Sequence, residues 1–553
     1  MTSGPDETMV DPVRLEIWRH LFQAAAEEMG ETLRRTGRSP NIKERRDYSC
    51  AVFDAAGQTI AQAEHMPVHL GSMPASVAHA IADVPVLEPG DAVILNDPYR
   101  GGTHLPDVTI VQGVFVPGRA TPAFFVANRA HHADIGGMSA GSLPLARELY
   151  QEGVIIPPLK VMRGGVPNRE VIDLLVRNVR TPEERRSDLA AQFAANAVGE
   201  RRLLAYVAEH GLALAMAYGR HLQDYAERMT RALIRALPDG VYAFMDRLDD
   251  DGQGTEEIGL SVQVTVRGDE AVVDFAGSDD ACSGSLNAVR SITQSAVFYA
   301  FRAAIGEDVP SNAGGFRPLQ ILVPPGSIVD ALPPHAVSAG NVETSQRIVD
   351  VVLGALAQAL PERIPAAGQG TMNNVTFGGL DARWADGPRP FAYYETIGGG
   401  SGAGPGQAGT NAVHVHMSNT MNTPVEAFER EFPIRIRRYA VRSGSGGAGR
   451  WRGGSGIVRT YEFLAPAEVT IVSERRRHGP YGLAGGEPGR PGENRLSRAD
   501  GTITSLPGKW HGRLGVGDVL EIESPGGGGW GTPGREGPGG ASEAATARDA
   551  DGS

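Results

Sequence analysis

Two hydrophobic periods alternate along this chain and divide it into regions. From Val13 the apolar set Val13, Leu15, Ile17, Trp18, Leu21, Phe22, Ala25 and Met29 recurs at helical spacing, which predicts an amphipathic helix to about Arg35. Strand-like runs follow. Residues 48–53 and 59–63 read as a hairpin turned at residues 54–58, and Ser76 is placed to cap a helix after HMPVHLG. GDAVILNDPY reads as a strand that stops at Asp97-Pro98. Residues 108–116 and 122–129 read as a second hairpin about the turn PGRAT. With that turn centred on Arg119, antiparallel partners have numbers summing to about 238, so Asp107 falls opposite His131.

The pattern then changes. Residues 168–237 are rich in Arg, Glu, Ala and Leu and predict two or three helices whose charges form a solvated face. Alternation returns in SVQVTVRGDEAVVDFAGS. SITQSAVFYAFRAAIG and ETSQRIVDVVLGALAQALPERI predict buried helices, with an irregular Pro-rich stretch between them. After residue 366 the chain is β-rich with glycine loops. The expected fold class is therefore multi-domain α+β. Its parts are a β-rich N-terminal region (12–167) that carries the candidate metal site, a central helical segment (168–238), an α+β region (239–365), a Gly-rich, β-rich C-terminal region (366–533) and a disordered tail (534–553).

Composition narrows the function classes. A length of 553 residues implies roughly two to four domains. A net charge of −13 argues against a nucleic-acid-binding surface. With only Cys50 and Cys282 available, a disulfide framework and a cysteine zinc site are both excluded, so any metal must be held by histidine and carboxylate. The N-terminus lacks the basic start and apolar core of a signal peptide, and no apolar run has the length of a membrane span. A cytoplasmic protein with no membrane association is the expectation. Glycine, at 72 residues, exceeds the usual ~7% and is expected in tight turns and in backbone brought close to ligands or partners.

Candidate chemistry concentrates in residues 96–137, which hold two H-x-x-D groups, His104/Asp107 and His131/Asp134. Each pair alone arises easily by chance, with histidine and aspartate merely satisfying one another. The hairpin register brings the pairs to one end of a sheet, where a mixed His/carboxylate set suits zinc, manganese or iron. Asp47, at the edge of the first strand, is the nearest candidate for a further ligand; the plainer role is a salt bridge to Arg45 or Arg46. His65 and His69 bracket the HMPVHLG turn, and either is a candidate to support a ligand or face substrate. Two decoys stand nearby. GMSAG at 137–141 matches the G-x-S-x-G elbow but lacks its strand–turn–helix context. GGGSGAG at 398–404 lacks the Gly-Lys-Ser/Thr ending of a phosphate loop. Arg438, Arg442, Arg450 and Arg452 surround a second glycine cluster and could bind a carboxylate or phosphate.

SPNIKERRDYSCAVFD, HMPVHLGSMPASV, LNDPYRGGTHLPDVTIV, ANRAHHADIGG, YQEGVIIPPLK, HMSNTMNTPVE and SPGGGGWGTP together resemble the hydantoinase B/oxoprolinase family, over roughly residues 12–533. The resemblance implies a B subunit that works with an A subunit of actin-like ATP-binding fold, in a hetero-oligomer such as one of two A and two B chains. There ATP activates an amide or enolate oxygen, and a metal-bound water in the B subunit attacks the activated ring C–N carbon of a small cyclic amide. It implies one divalent ion held by Asp47 (RRDYS), His104 and Asp107 (GGTHLPD) and His131 (RAHHADIGG), with His132 the alternative at the last position. It implies Asp134 behind the ligands, holding a histidine tautomer, and His69 and Glu152 beside Asp134 as support or proton carriers. Family members also include subunits of acetone-type carboxylases, and a non-catalytic scaffold is a third reading.

Overall fold

The computed structural model describes residues 10–63, 66–306 and 309–534; His65 and the tail from residue 535 lie outside the described residues. Helix α1 spans Pro12–Thr36 and starts where Asp11 accepts a hydrogen bond from the Val13 N–H at 2.9 Å. A short helix α2 (Pro40–Lys43) leads into a seven-stranded antiparallel sheet. Its strands are β1 (Tyr48–Asp54), β2 (Thr59–Ala63), β3 (Ala92–Leu95), β4 (Asp107–Val114), β5 (Phe124–His131), β6 (Leu159–Arg163) and β7 (Val166–Pro167), in the order β2-β1-β5-β4-β3-β6-β7. Helix α3 (Ser72–Asp83) crosses between β2 and β3. The central segment is three helices, α4 (Arg169–Arg177), α5 (Pro182–His210) and α6 (Leu212–Arg235).

Both faces of this sheet are covered, which is why its central strands are buried at every position. Cys50, Val52, Val126 and Ala130 face Trp18, Phe22 and Met29 of α1 and Ala191 and Ala195 of α5. The alternate residues Ala51, Phe53, Phe125 and Ala127 face Met73, Val77 and Ala80 of α3. Ser76 is not the cap of α3. The helix begins four residues earlier, because Pro74 fits the first turn, where no backbone N–H is needed; the Ser76 hydroxyl instead donates to the Gly101 carbonyl at 2.6 Å.

Beyond α6, a four-stranded sheet (Gly240–Asp250, Glu256–Arg267, Glu270–Asp274 and Leu319–Leu322) packs on helices α7 (Arg290–Ile305) and α8 (Ser345–Ala359). The Pro-rich stretch read as irregular contributes the last of these strands, which runs parallel to Glu270–Asp274. One apolar core runs from Val108 and Ile110 of β4 to Ile348 and Val352 of α8.

Two further sheets of four and five strands occupy residues 374–523. The glycine clusters beside them are mostly not turns. Within 398–409 and 443–456 only Gly406 and Gly444 have positive φ. The others stack backbone on backbone. Gly454 N–H donates to the Ser401 carbonyl, Gly527 N–H to that of Gly454 and Gly447 N–H to that of Gly527, each at 2.9 Å. A Cβ on Gly400 would fall 1.9 Å from the Gly454 oxygen, and one on Gly446 1.8 Å from the Gly453 oxygen. Within these clusters glycine thus answers to close packing of main chain more than to chain reversal, whereas elsewhere it also serves turns, as at Gly57 and Gly118. Among the described residues no helix is long and apolar enough to cross a membrane.

Candidate metal centre

Three neighbouring strands end at one edge of the N-terminal sheet. Asp107, the first residue of β4, pairs with His131, the last of β5, as the turn geometry predicts. Tyr48 of β1 pairs with Ala130, and the Asp47 carbonyl just before it accepts the His131 N–H at 3.0 Å. His104 enters from the loop before β4, where the Asp107 N–H donates to its carbonyl at 3.1 Å.

His104, Asp107 and His131 are buried, and each offers a ligating atom within 4.8 Å of the others. His104 Nε2 is 3.3 Å from Asp107 Oδ1, and the two histidine rings are 5.1 Å apart in an edge-to-face arrangement. Among the described residues neither ring nitrogen of His104 has a hydrogen-bond partner. A buried polar atom left so is costly, and a cation beside Asp107 would meet the lone pair of one of these nitrogens. Burial, then the neighbouring His104, pushes the His131 pKa well below its ordinary value, which keeps that ring neutral as a ligand must be. Burial acts to raise the pKa of Asp107, but His104 and His69 outweigh it and hold the carboxylate well below its usual range.

The remaining candidates fall at different distances from this cluster. His69 is fully buried, with Nε2 3.4 Å from Asp107 Oδ2 and Nδ1 2.8 Å from Ser49 Oγ, so it bears on Asp107 from behind; Thr103 donates to the same Oδ2 at 2.5 Å. Asp47 lies close by but outside the 4.8 Å group, with Arg45 Nη2 3.9 Å from Oδ2. Burial raises its pKa to about 6, while Arg45 pulls it down and Asp107 pushes it up. Glu152 is fully buried. Its Oε1 accepts from the N–H groups of Val337 at 2.9 Å and Ser338 at 2.8 Å, and Oε2 has no partner among the described residues. Burial raises its pKa to about 7.

The two histidines of RAHHAD part company. The His132 ring reaches Gln192 Oε1 on α5 at 3.0 Å, and burial with nearby Arg185 lowers its pKa to about 4. Among the described residues Asp134 holds no histidine. Its carboxylate takes the Gly136 N–H at 3.0 Å and the Arg180 guanidinium at 2.9 Å, because the chain turns away after β5 through Gly136 and Gly137, at φ 88° and 83°. Ser139 of the elbow-like GMSAG is buried, and its loop runs on without helix to the short turn Leu149–Gln151. The arginines near the second glycine cluster do not converge: Arg442 pairs with Glu493 and Glu523, and Arg450 covers the Trp451 ring.

The sequence reading missed the residues that brace the cluster from afar. Tyr394 stacks on the His131 ring at 4.5 Å with 13° between planes. Its hydroxyl donates to Asn374 Oδ1 at 2.9 Å, and Asn374 Nδ2 donates to Glu343 Oε1 at 2.6 Å. Asn41, within the motif SPNIKERRDYS, has its amide nitrogen 3.0 Å from His131 Nδ1. Arg129, fully buried, donates to Thr109 Oγ1 at 2.8 Å and Ser76 Oγ at 2.7 Å.

Glu343 gives a pH test of this brace. Burial raises its pKa to about 8 from an ordinary 4.5, so between those values the folded chain holds a proton that the unfolded chain has released. Its stabilising contribution is complete below pH 4.5 and lost as pH rises to about 8. Glu343→Gln keeps the acceptor for Asn374 without that loss. Its stability relative to wild type is expected to rise by about 1.4 kcal/mol per pH unit across the window, read from urea midpoints.

Comparison with known proteins places this arrangement. Residues 11–533 match the profile of the hydantoinase B/oxoprolinase family. The putative B-type component of the D-/L-hydantoinase of a Pseudomonas species is 30% identical, across 96% of this chain and 91% of its own length. 5-Oxoprolinase 1 of Arabidopsis thaliana is 38% identical over 95% of this chain, which spans 42% of that relative. The crystal structure of the ATP-dependent caprolactamase of Pseudomonas jessenii superposes with a TM-score of 0.88 at 30% identity, covering 95% of this chain and 92% of the other. This chain belongs to the hydantoinase B/oxoprolinase family.

Proposed function

We propose that this chain is the metal-bearing subunit of an ATP-dependent cyclic-amide hydrolase of hydantoinase, N-methylhydantoinase or 5-oxoprolinase type. It works with an ATP-binding A-type subunit in a hetero-oligomer. The observation that carries the reading is the buried His104–Asp107–His131 cluster with both His104 nitrogens unpartnered among the described residues. Two imidazoles and a carboxylate are a donor set for zinc, manganese or iron, and they stand where a small ion would take the lone pair of one His104 nitrogen. The relatives support the reaction class, being named a hydantoinase subunit, a 5-oxoprolinase and an ATP-dependent caprolactamase.

His104, Asp107 and His131 would hold the ion, with Asp47 as the fourth ligand, and the ion would supply polarisation of a carbonyl and acidification of water. The chain's own groups do the rest. His69 and Thr103 fix the carboxylate of Asp107 from behind. Arg45 offsets the charge of Asp47, which would otherwise face Asp107 in a dry site. Glu152 carries a proton near neutrality, on the oxygen that no backbone amide contacts, and is the group suited to protonating the departing ring nitrogen. Burial of all three core ligands excludes bulk water from the activated substrate.

The test is reconstitution. The chain, co-purified with an A-type partner, is assayed for ring opening of hydantoin, N-methylhydantoin, 5-oxoproline and caprolactam. ATP-dependent opening of at least one is expected. ATP hydrolysis that requires bicarbonate and carboxylates a ketone would replace this reading with that of a carboxylase subunit.

A further inference from the structure

Asn41 touches two of the residues at the cluster's edge. Its carbonyl accepts the Asp47 N–H at 2.9 Å, and its amide meets the His131 ring 3.0 Å from Nδ1. It is fully buried. The amide nitrogen faces the ring, and Oδ1 has no partner among the described residues. A neutral imidazole that accepts at Nδ1 carries its proton at Nε2, and Nε2 then has no lone pair to offer a cation. The two ends of a carboxamide are isosteric, and a half-turn about Cβ–Cγ exchanges them. Turned, Oδ1 accepts a proton from Nδ1 and the Nε2 lone pair is free. In either orientation one end of the amide bonds to the ring, so the need of the ring decides between them.

We propose that Asn41 is a positioning residue that sets the tautomer of His131, with Oδ1 accepting Nδ1–H so that Nε2 serves the ion. The inference rests on the metal reading above. The choice of residue accords with it. A ligating histidine commonly donates its second N–H to a carboxylate, a backbone carbonyl or water. A carboxylate at position 41 would be another buried negative charge close to Asp47 and Asp107. A carboxamide gives the acceptor without the charge. Tyr394 restrains the same ring on its face and Asn41 on its edge, so tilt and rotation are fixed by different groups.

Two readouts separate this from a packing role. In metal-free protein labelled with ¹⁵N-histidine, with His131 assigned by loss of its signal in His131→Gln, long-range ¹H–¹⁵N spectra report which nitrogen carries the proton. His131 is expected as the Nδ1–H tautomer in wild type and in Asn41→Asp, and as the Nε2–H tautomer in Asn41→Leu. Zinc affinity, measured by competition with a chelating dye, is expected to fall about 10–100-fold in Asn41→Leu and to be retained in Asn41→Asp. A wild-type ring protonated at Nε2 overturns the inference. So does an Asn41→Leu protein that keeps the wild-type tautomer and binds zinc within about threefold of wild type, well short of an outer-partner effect. Should wild type take up no zinc, the metal reading fails, and the tautomer in the spectra still decides the role of Asn41.

Discussion

The double variant His104→Ala/Asp107→Ala is expected to fold and assemble but to lose ring-opening activity. The fold survives because neither nitrogen of the His104 ring makes a hydrogen bond among the described residues, so its removal breaks no such bond there. Asp107 is a buried carboxylate held ionised chiefly by His104 and His69, and taking it away also removes a desolvated charge. Activity should fall by at least about 10³-fold, since loss of an outer-shell partner alone costs roughly 10–100-fold. Turnover of the reconstituted complex and metal content per chain would be measured together. Full ring opening by the variant complex would reduce this chain to a scaffold that shapes its partner's site.

The largest stability effect is expected far from the cluster. Arg475 is buried, and its Nη2 donates to Asp246 and to Asp350 of α8 at 2.7 Å each. It ties the strand Gly240–Asp250 and α8 to the loop that follows the strand Ala467–Val472. Arg347 and Arg475 overcome the burial of Asp246 and hold its pKa at about 2. Arg475→Ala would leave the buried Asp350 and the half-buried Asp246 with Arg347 alone to compensate them, a loss of about 3–5 kcal/mol. Arg475→Lys should recover part of it, because a point charge meets one carboxylate better than two. Urea denaturation decides the matter; a change below about 1 kcal/mol would mean that Arg347 alone suffices.

How much of this was legible in the sequence depended on range. The β4–β5 register could be read because a short turn fixes pairing across a hairpin, and that pairing alone sets Asp107 beside His131. The edge position of Asp47 followed from the strand it precedes. The second H-x-x-D looked like the first, but Gly136 and Gly137 turn the chain after β5 and hand Asp134 to Arg180. No local pattern marked Tyr394, Asn374 or Glu343, whose approach to His131 depends on packing between distant parts of the chain. Arg45 shows the same limit. The sequence offered Arg45 or Arg46 as a salt-bridge partner for Asp47; Arg45 stands 3.9 Å from it, yet its Nη1 also donates to the Tyr394 carbonyl at 2.7 Å, 349 residues away. The glycine clusters were read as tight turns and close packing; the close packing holds, and composition could not say which main chain lies against each missing side chain.

The central claim is that this chain holds a divalent ion. Elemental analysis of the protein, purified without chelator and with its partner subunit removed, tests it most directly. About one zinc, manganese or iron per chain, lost in His104→Ala/Asp107→Ala, is the predicted result. Fewer than about one ion in ten chains, with none taken up on addition of any of the three metals, would contradict it.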